Sequence, residues 1–498
     1  MPNASPTLLW FRADLRLSDN PALRAALARK SPIIPLFIHS PESESPWPSG
    51  SASNVWLHHS LTALEHSLQK LNAQLIIRQG DPLTILQQLA QESSADAIFW
   101  NRRYEPAIIA RDTAIKSALT KSGLTVETFN AALLADPREI RNKQGKPFQV
   151  FTPFHNALLA REAPPDPLPA PSRWPESTPA IRKLESLSIA DLALLPRIKW
   201  DKRIHQHWEP GERGASARLS RFCEIIADYK DARDRPSLRA TSELSPHLHF
   251  GEISPRQIAH RISELVAKSS RKNETGASKF LAEIHWREFA YHLLYHFPHT
   301  TDNPLREQFN NFPWLKDKHT LRAWQAGRTG YPIVDAGMRQ LWALGWMHNR
   351  VRMIVGSFLV KHLLHHWLEG AKWFWDTLVD ADLANNTLGW QWIAGCGADA
   401  APYFRIFNPT IQGEKFDPDG TYVRVWVPEL TNVPAKHIHS PWTADASTLR
   451  AANIELVDSL KHPSHALLPH QYPQPIVDHS FARDRALEAL SRTRSSIS

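Results

Sequence analysis

Three stretches of this 498-residue chain set an indole or a thioether beside an amide or a charge at helical spacing. In KFLAEIHWREFAYHLL, Glu283, Trp286 and Arg287 share a face that continues to Ala290; in GWMHNRVRMIVGSF, Asn349, Arg352 and Met353 share another. VDADLANNTLGWQW places Asp382, Asn386 and Trp390 four residues apart. Walls of Trp, Met and Asn with a single Glu suit a flat aromatic ligand better than a hydrolytic centre, and no Ser/His/Asp order or close carboxylate pair offers a nucleophilic mechanism. Each stripe taken alone also fits a packed helix face with its polar groups satisfied. The segment ATSELSPHLHFG adds Thr241, Ser242 and Ser245 just ahead of Pro246, hydroxyls that can hold a phosphate at a helix start or serve as ordinary caps.

Other patterns carry less. Gly395-Cys396-Gly397-Ala398-Asp399-Ala400 spells a dinucleotide fingerprint, but it lies deep in a helical region with no strand to deliver it to a helix N-terminus. His365–His366 and His247/His249 lack carboxylates or thiolates at ligand spacing, so no metal site is expected. Two cysteines, Cys223 and Cys396, cannot build a disulfide framework, which points to a reducing compartment. No apolar run approaches the ~20 residues of a membrane span, and MPNASPTLLWFRADLR has no basic region ahead of its apolar stretch, so neither a span nor a secretory signal is expected. Lys plus Arg number 58 against 50 Asp plus Glu, a net charge of +8 that favours polyanionic partners. Nineteen Trp in one chain call for a fold that uses indoles.

The elements that hold these residues divide the chain. LLWF at 8–11, IIPLFI at 33–38, AQLIIR at 73–78 and DAIFWN at 96–101 alternate with helical stretches, among them NPALRAALARK with Asn20 as N-cap and Pro21 behind it. This rhythm predicts a doubly wound parallel α/β domain over 1–131. REAPPDPLPAPSRWPESTPAIR at 161–182 carries too many prolines for helix or central strand, and 132–206 reads as an interdomain linker. Residues 207–478 are helical in period, with blocks at 211–229, 254–268, 277–297, 333–347, 350–367 and 371–386; residues 479–498 read as a short helix with a frayed tail.

WFRADLRLSDNPAL at 10–23, WEPGERGASARL at 208–219, TSELSPHLHFGEIS at 241–254, HWREF at 285–289, GYPIVDAGMRQLWALGWMHNRVRM at 330–353 and LGWQWIAGCGADAAPYFRIFNPTIQGEKFDPDG at 388–420 resemble the DNA photolyase and cryptochrome family, in order and over nearly the whole chain. Within that family the chain most resembles bacterial cyclobutane pyrimidine dimer photolyases, and LANNTLGWQW with GCGADAAPYFRIFNP is similar to the class III branch. The resemblance implies an α/β antenna domain linked to a helical domain that holds FAD. It implies a carbon–carbon lyase in which excited reduced flavin lends an electron to a flipped-out dimer in UV-damaged DNA and recovers it after the ring splits. Tyr229, Thr241, Ser242, Leu244 and Ser245 match contacts to the flavin diphosphate and ribose, Arg352 and Asp380 a salt bridge beside the isoalloxazine, and Asp380, Ala381 and Asp382 a flavin-contacting run. Asn386 matches the residue facing flavin N5, where plant cryptochromes typically carry Asp, and so favours repair over signalling.

Glu283, Asn349 and Met353 match dimer contacts, and Trp286 and Trp392 the aromatic walls for the flipped bases. An apolar pocket leaves open whether Glu283 is protonated or hydrogen-bonds the dimer. Arg233, Arg350 and Arg405 match residues that grip flanking phosphates, while Trp390, Trp367 and Trp314 match the electron-relay tryptophans. The (6-4) photolyases use two histidines where this chain has only His348, so cyclobutane dimers are the expected lesion, with a (6-4) photolyase or a cryptochrome-type receptor as alternatives. NRRYEPAIIARD at 101–112 spans the region where folate-binding relatives contact methenyltetrahydrofolate, although Ala107 and Ile108 stand where some carry Asn-Glu; folate is expected ahead of a deazaflavin. A monomer in the bacterial cytoplasm, on the nucleoid when bound to DNA, completes the expectation.

Overall fold

The apolar runs near the N-terminus form β1 (Thr7–Phe11), β2 (Ile33–His39), β3 (Ile76–Gln79) and β4 (Ala97–Asn101), joined by a fifth strand, β5 (Thr125–Phe129). All pair in parallel in the order β3-β2-β1-β4-β5. Strands β1, β2 and β4 are buried almost throughout, as parallel strands covered on both faces must be. Pro35 costs no β2–β3 pairing, because that ladder begins one residue later at Leu36–Ile76. Helices α1 (Pro21–Ala28), α2 (Ser51–Gln69), α3 (Pro82–Ser93) and α4 (Pro106–Lys121) complete the layers. As the sequence predicts, Asn20 caps α1, its Oδ1 accepting from the Leu23 amide at 3.1 Å with Pro21 at the first helical position.

The structure, a computed structural model, describes residues 5–268, 271–399, 404–458 and 468–495. It divides into two units: Met1–Ala227 with Ser242–Pro298 and Val379–Ala384, and Asp228–Thr241 with His299–Leu378 and Asn385–Ser498. This partition departs from the expected boundaries, because the proline-rich connector packs onto the sheet domain. Asp19 and Leu168 exchange hydrogen bonds at 2.7 and 3.0 Å, Trp174 Nε1 donates to the Ile33 carbonyl at 3.1 Å, and Ile181 joins the sheet's core cluster. The first unit also holds α5 (Phe151–Leu159), α6 (Ser245–His249), α7 (Pro255–Ala267) and the long α8 (Arg271–His296).

In the second unit α9 (Pro332–Leu344) precedes α10 (Asn349–Ser357), a π-helical turn at Phe358–His362, and α11 (Trp367–Thr377). The expected single helix over 350–367 is thus interrupted: the chain widens into a π turn, and α11 is re-initiated by His366, whose Nδ1 accepts from the Leu368 amide at 3.1 Å. The helix expected over 371–386 also breaks. It stops at Thr377, Leu378–Asp382 is not helical, and α12 (Leu383–Ala394) starts afresh, so Asp382 lies outside the stripe it was expected to share with Asn386 and Trp390. Gly395, at φ +84°, follows the end of α12, so the fingerprint-like run begins at a helix C-terminus rather than a strand end; Ala400 lies outside the described residues.

The C-terminal stretch is more than a tail. Helix α13 (His479–Ser495) docks through Ala482, Ala486, Ala489, Leu490 and Thr493, all buried, while Phe481 faces outward. His362 Nε2 and His479 Nδ1 lie 2.9 Å apart, and Arg485 donates to the His362 carbonyl at 2.6 Å, which fastens the helix to the π turn. Residues 496–498, part of the expected frayed end, lie outside the described residues. A short parallel pair, Glu455–Val457 with Gln471–Pro473, was not anticipated.

Candidate functional site

Within the first unit, α8 presents Glu283 and Trp286. The Trp286 indole stacks on Phe151 of α5 with centroids 3.8 Å apart and planes within 8°, and Phe289 meets it edge-on at 5.8 Å. One face of the indole is therefore fixed by a second ring. Beside it, His285 and His155 approach through their Nδ1 atoms at 2.8 Å, and burial pushes the His285 imidazole down to about 4, so this histidine is neutral at physiological pH. Glu283 is half-buried and has Lys279 Nζ at 3.3 Å, one turn back. Arg287, grouped with them by spacing, instead turns inward: it donates to the Ala132 carbonyl at 2.7 Å and lies over the Tyr291 ring at 4.8 Å.

The same unit carries Ser242, Leu244, Ser245, Asp380, Ala381 and Asp382. Helix α6 is only five residues long, with the buried Leu244 at its N-cap position; the Leu244 amide donates to the Ser242 hydroxyl oxygen at 3.4 Å. Asp382 is committed to protein partners: the Tyr291 hydroxyl donates to its carboxylate, and His249 Nδ1 lies 4.0 Å away. Burial alone would raise its pKa; the neighbouring His249, the charge of Arg287 and the hydrogen bond from Tyr291 prevail and hold it well below the usual carboxylate range.

In the second unit, Asp234 gathers two of the three arginines expected to grip phosphates. Arg350 Nη2 is 3.0 Å from its carboxylate and Arg233 Nε is 3.9 Å away; Arg350 also lies over Phe416 at 4.4 Å and Arg233 over the buried Tyr229 ring at 5.4 Å. Arg405 is exposed, and Thr241 ends the segment that carries Tyr229. Helix α10 opens with the exposed Asn349, followed by Arg350, Arg352 and the half-buried Met353; Arg352 Nε donates to the Met347 carbonyl at 2.8 Å. His348 caps this helix, its Nδ1 accepting from the Arg350 amide at 3.2 Å, and burial pushes its pKa down to about 4.

Asn386 Nδ2 donates to the Ala371 carbonyl at 3.0 Å. Its Oδ1 makes no hydrogen bond to the described residues, which leaves an acceptor suited to a ring N–H such as flavin N5 offers. Trp390 is buried one turn along α12, with Phe374 edge-on at 5.0 Å, Trp324 edge-on at 6.2 Å, and Gly356 and Gly370 against its six-membered ring. Trp367 is equally buried, whereas Trp314 is half-exposed, so the three expected relay indoles run from interior to surface. The Trp392 indole donates to the Asp399 carbonyl at 3.2 Å. Phe151, Asp234 and Gly370 carry no sequence signal beyond their placement inside FTPF, RDRP and HHWLEG, because each acts on a neighbour distant in sequence, and the His365–His366 pair, weighed only as a metal site, gives no sign of the contact between His366 and Trp314.

Residues 7–172 match the family described as DNA photolyase and residues 280–492 the FAD binding domain of DNA photolyase. A deoxyribodipyrimidine photo-lyase of Agrobacterium fabrum is 48% identical over 98% of both chains, and cryptochrome-1 of Arabidopsis thaliana is 39% identical over 98% of this chain and 70% of its own. Among solved structures, a bacterial class III photolyase from Agrobacterium tumefaciens superimposes with a TM-score of 0.92 at 45% identity, covering 99% of each chain. Matches that span both units in order, at this identity and coverage, place the chain in the DNA photolyase/cryptochrome family.

Proposed function

We propose that this protein repairs cyclobutane pyrimidine dimers in UV-damaged DNA under blue light, as a deoxyribodipyrimidine photo-lyase. The observation that carries the reading is Asn386, whose amide the Ala371 carbonyl orients so that an acceptor is left for flavin N5. FAD, when bound, supplies the photoexcited electron that opens the cyclobutane ring and takes it back. Tyr229, Thr241, Ser242, Leu244, Ser245, Arg352, Asp380, Ala381 and Asp382 are the residues that would hold it, Asp382 through its backbone because its carboxylate is already engaged.

The chain's own residues do the rest. Trp286, kept flat by Phe151, and Trp392, anchored at its Nε1, wall the flipped bases, whose poor stacking in the duplex lowers the cost of extrusion. Glu283, Asn349 and Met353 contact the dimer, and Arg233, Arg350 and Arg405 hold the flanking phosphates. His348 is a buried, neutral helix cap and offers no acid for (6-4) chemistry. Trp390, Trp367 and Trp314 carry charge between the interior and solvent.

We assign folate ahead of a deazaflavin as the antenna, on the segment 101–112, which follows the carboxyl end of β4, where doubly wound sheets bind ligands; extraction and fluorescence of the bound chromophore distinguish the two. We read the protein as a cytoplasmic monomer; no helix of the described residues is long and apolar enough to cross a membrane. Glu283→Gln and Asn349→Ala test the site: repair falls while FAD content stays normal, and unimpaired repair by both variants overturns the assignment.

A further inference from the structure

Trp367 and Trp314, two of the proposed relay indoles, both meet the imidazole of His366. The ring of His366 stacks on Trp367 with centroids 5.6 Å apart and planes within 28°, and meets Trp314 edge-on at 5.2 Å. Among the described residues no direct ring contact joins the two indoles. We propose that His366 is the aromatic bridge between Trp367 and Trp314, a positioning residue that couples the last hop of the relay without itself being oxidised.

The chemistry follows from the ring's geometry. Because Nδ1 accepts the Leu368 amide hydrogen, the proton of a neutral imidazole sits on Nε2, and burial lowers the pKa so that the neutral form prevails; Glu369 opposes this and Lys372 reinforces it. A neutral imidazole is harder to oxidise than an indole, so it fills the gap with π orbitals instead of trapping the charge. One electron passes from Trp314 to the oxidised Trp367 through the ring, Trp314 is left one electron short, and an external thiol restores it. No proton moves in the hop, and His366 begins and ends neutral.

His366 also caps α11, and two substitutions separate the two roles. His366→Asn keeps an oxygen able to accept the Leu368 amide hydrogen but removes the ring; His366→Phe keeps a ring and removes the cap. The readout is the rate of light-driven reduction of bound FAD in the full-length holoprotein with a thiol present, alongside melting temperature and FAD content. The bridge requires His366→Asn to reduce its flavin severalfold more slowly than the parent at near-parental melting temperature, and His366→Phe to reduce near the parental rate at a lower melting temperature. Any other pattern, with both slow, both normal or only Phe slow, overturns it. Should the Asn variant fail to retain FAD, His366→Ser serves as the ringless, cap-competent substitute.

The inference rests on the relay assignment, and controls keep the two apart. If Trp314→Phe and Trp367→Phe photoreduce like the parent, the relay reading falls; if they are slow while His366→Asn is normal, the bridge alone falls. Repair by chemically reduced protein is unchanged in every His366 variant.

Discussion

Gly370 gives the six-membered ring of Trp390 the space of its missing side chain: a Cβ at 370 would overlap three ring carbons. The ring is held on its other sides by Phe374 and Trp324, so it cannot yield without disturbing them. Overpacking of this kind costs about 1–3 kcal/mol. Gly370→Ala is therefore expected to lower the melting temperature and slow light-driven flavin reduction, leaving repair by chemically reduced protein closer to normal. Parental melting and photoreduction together would mean that Trp390 is not confined by this glycine.

Asp234 lies 3.0 Å from Arg350, and on the proposed DNA face its carboxylate would compete with phosphate for that guanidinium. Three arginines on three phosphates give a log K against log salt slope of about −2.7 on duplex DNA. Arg350→Ala is expected to flatten the slope by about one and to weaken intact and damaged DNA alike. Asp234→Asn, which removes the carboxylate beside Arg350 and Arg233, is expected to tighten both. Titrations at several salt concentrations decide this, and a slope unmoved by either change removes these residues from the DNA face.

Asn386→Asp replaces the amide that donates to the Ala371 carbonyl by a group with no N–H when ionised. The carboxylate can only accept, so it favours an N5 that carries its proton and opposes the further negative charge of full reduction. Absorption spectra of the illuminated variant should stall one electron short of full reduction under conditions in which the parent proceeds. Spectra that track the parent at every stage would show that residue 386 does not face N5.

Glu288 titrates near neutrality. Burial drives its carboxyl from 4.5 up to about 7, against the charge of Arg287 and the Leu134 and Ala135 amides that donate to it. The folded state then keeps a proton that the unfolded chain releases near 4.5, so the stabilisation is complete below that pH and is lost as pH rises towards 7, a difference on the order of 3 kcal/mol. Glu288→Gln should melt increasingly above the parent as pH goes from 5 to 8. A constant difference across that range would contradict the elevated pKa.

Much of the fold was written in local signals, and the departures have physical causes. The cap at Asn20–Pro21 and the apolar runs of β1, β2 and β4 are read directly, because burial on both faces demands them. Strand β5, at the half-exposed edge of the sheet, has no such run. The π turn at Phe358–His362 keeps every side chain buried, so apolar period alone does not betray the change of helix. Helix α13 docks on alanines, invisible to a search for large apolar residues that finds only the outward Phe481. In the site, residue types were legible from spacing and resemblance, but the partners that orient them were not: Phe151 lies 135 positions from Trp286, and Asp234 lies 116 from Arg350.

The central claim, light-driven repair of cyclobutane dimers, is tested most directly on a duplex oligonucleotide carrying one thymine cyclobutane dimer. Chemically reduced holoprotein is incubated with it under blue light and in the dark, and dimer and restored thymines are separated and quantified. The expected result is conversion in the light alone, with each protein molecule repairing many dimers. Dimers left intact in the light by protein whose reduced FAD is verified spectroscopically would contradict it.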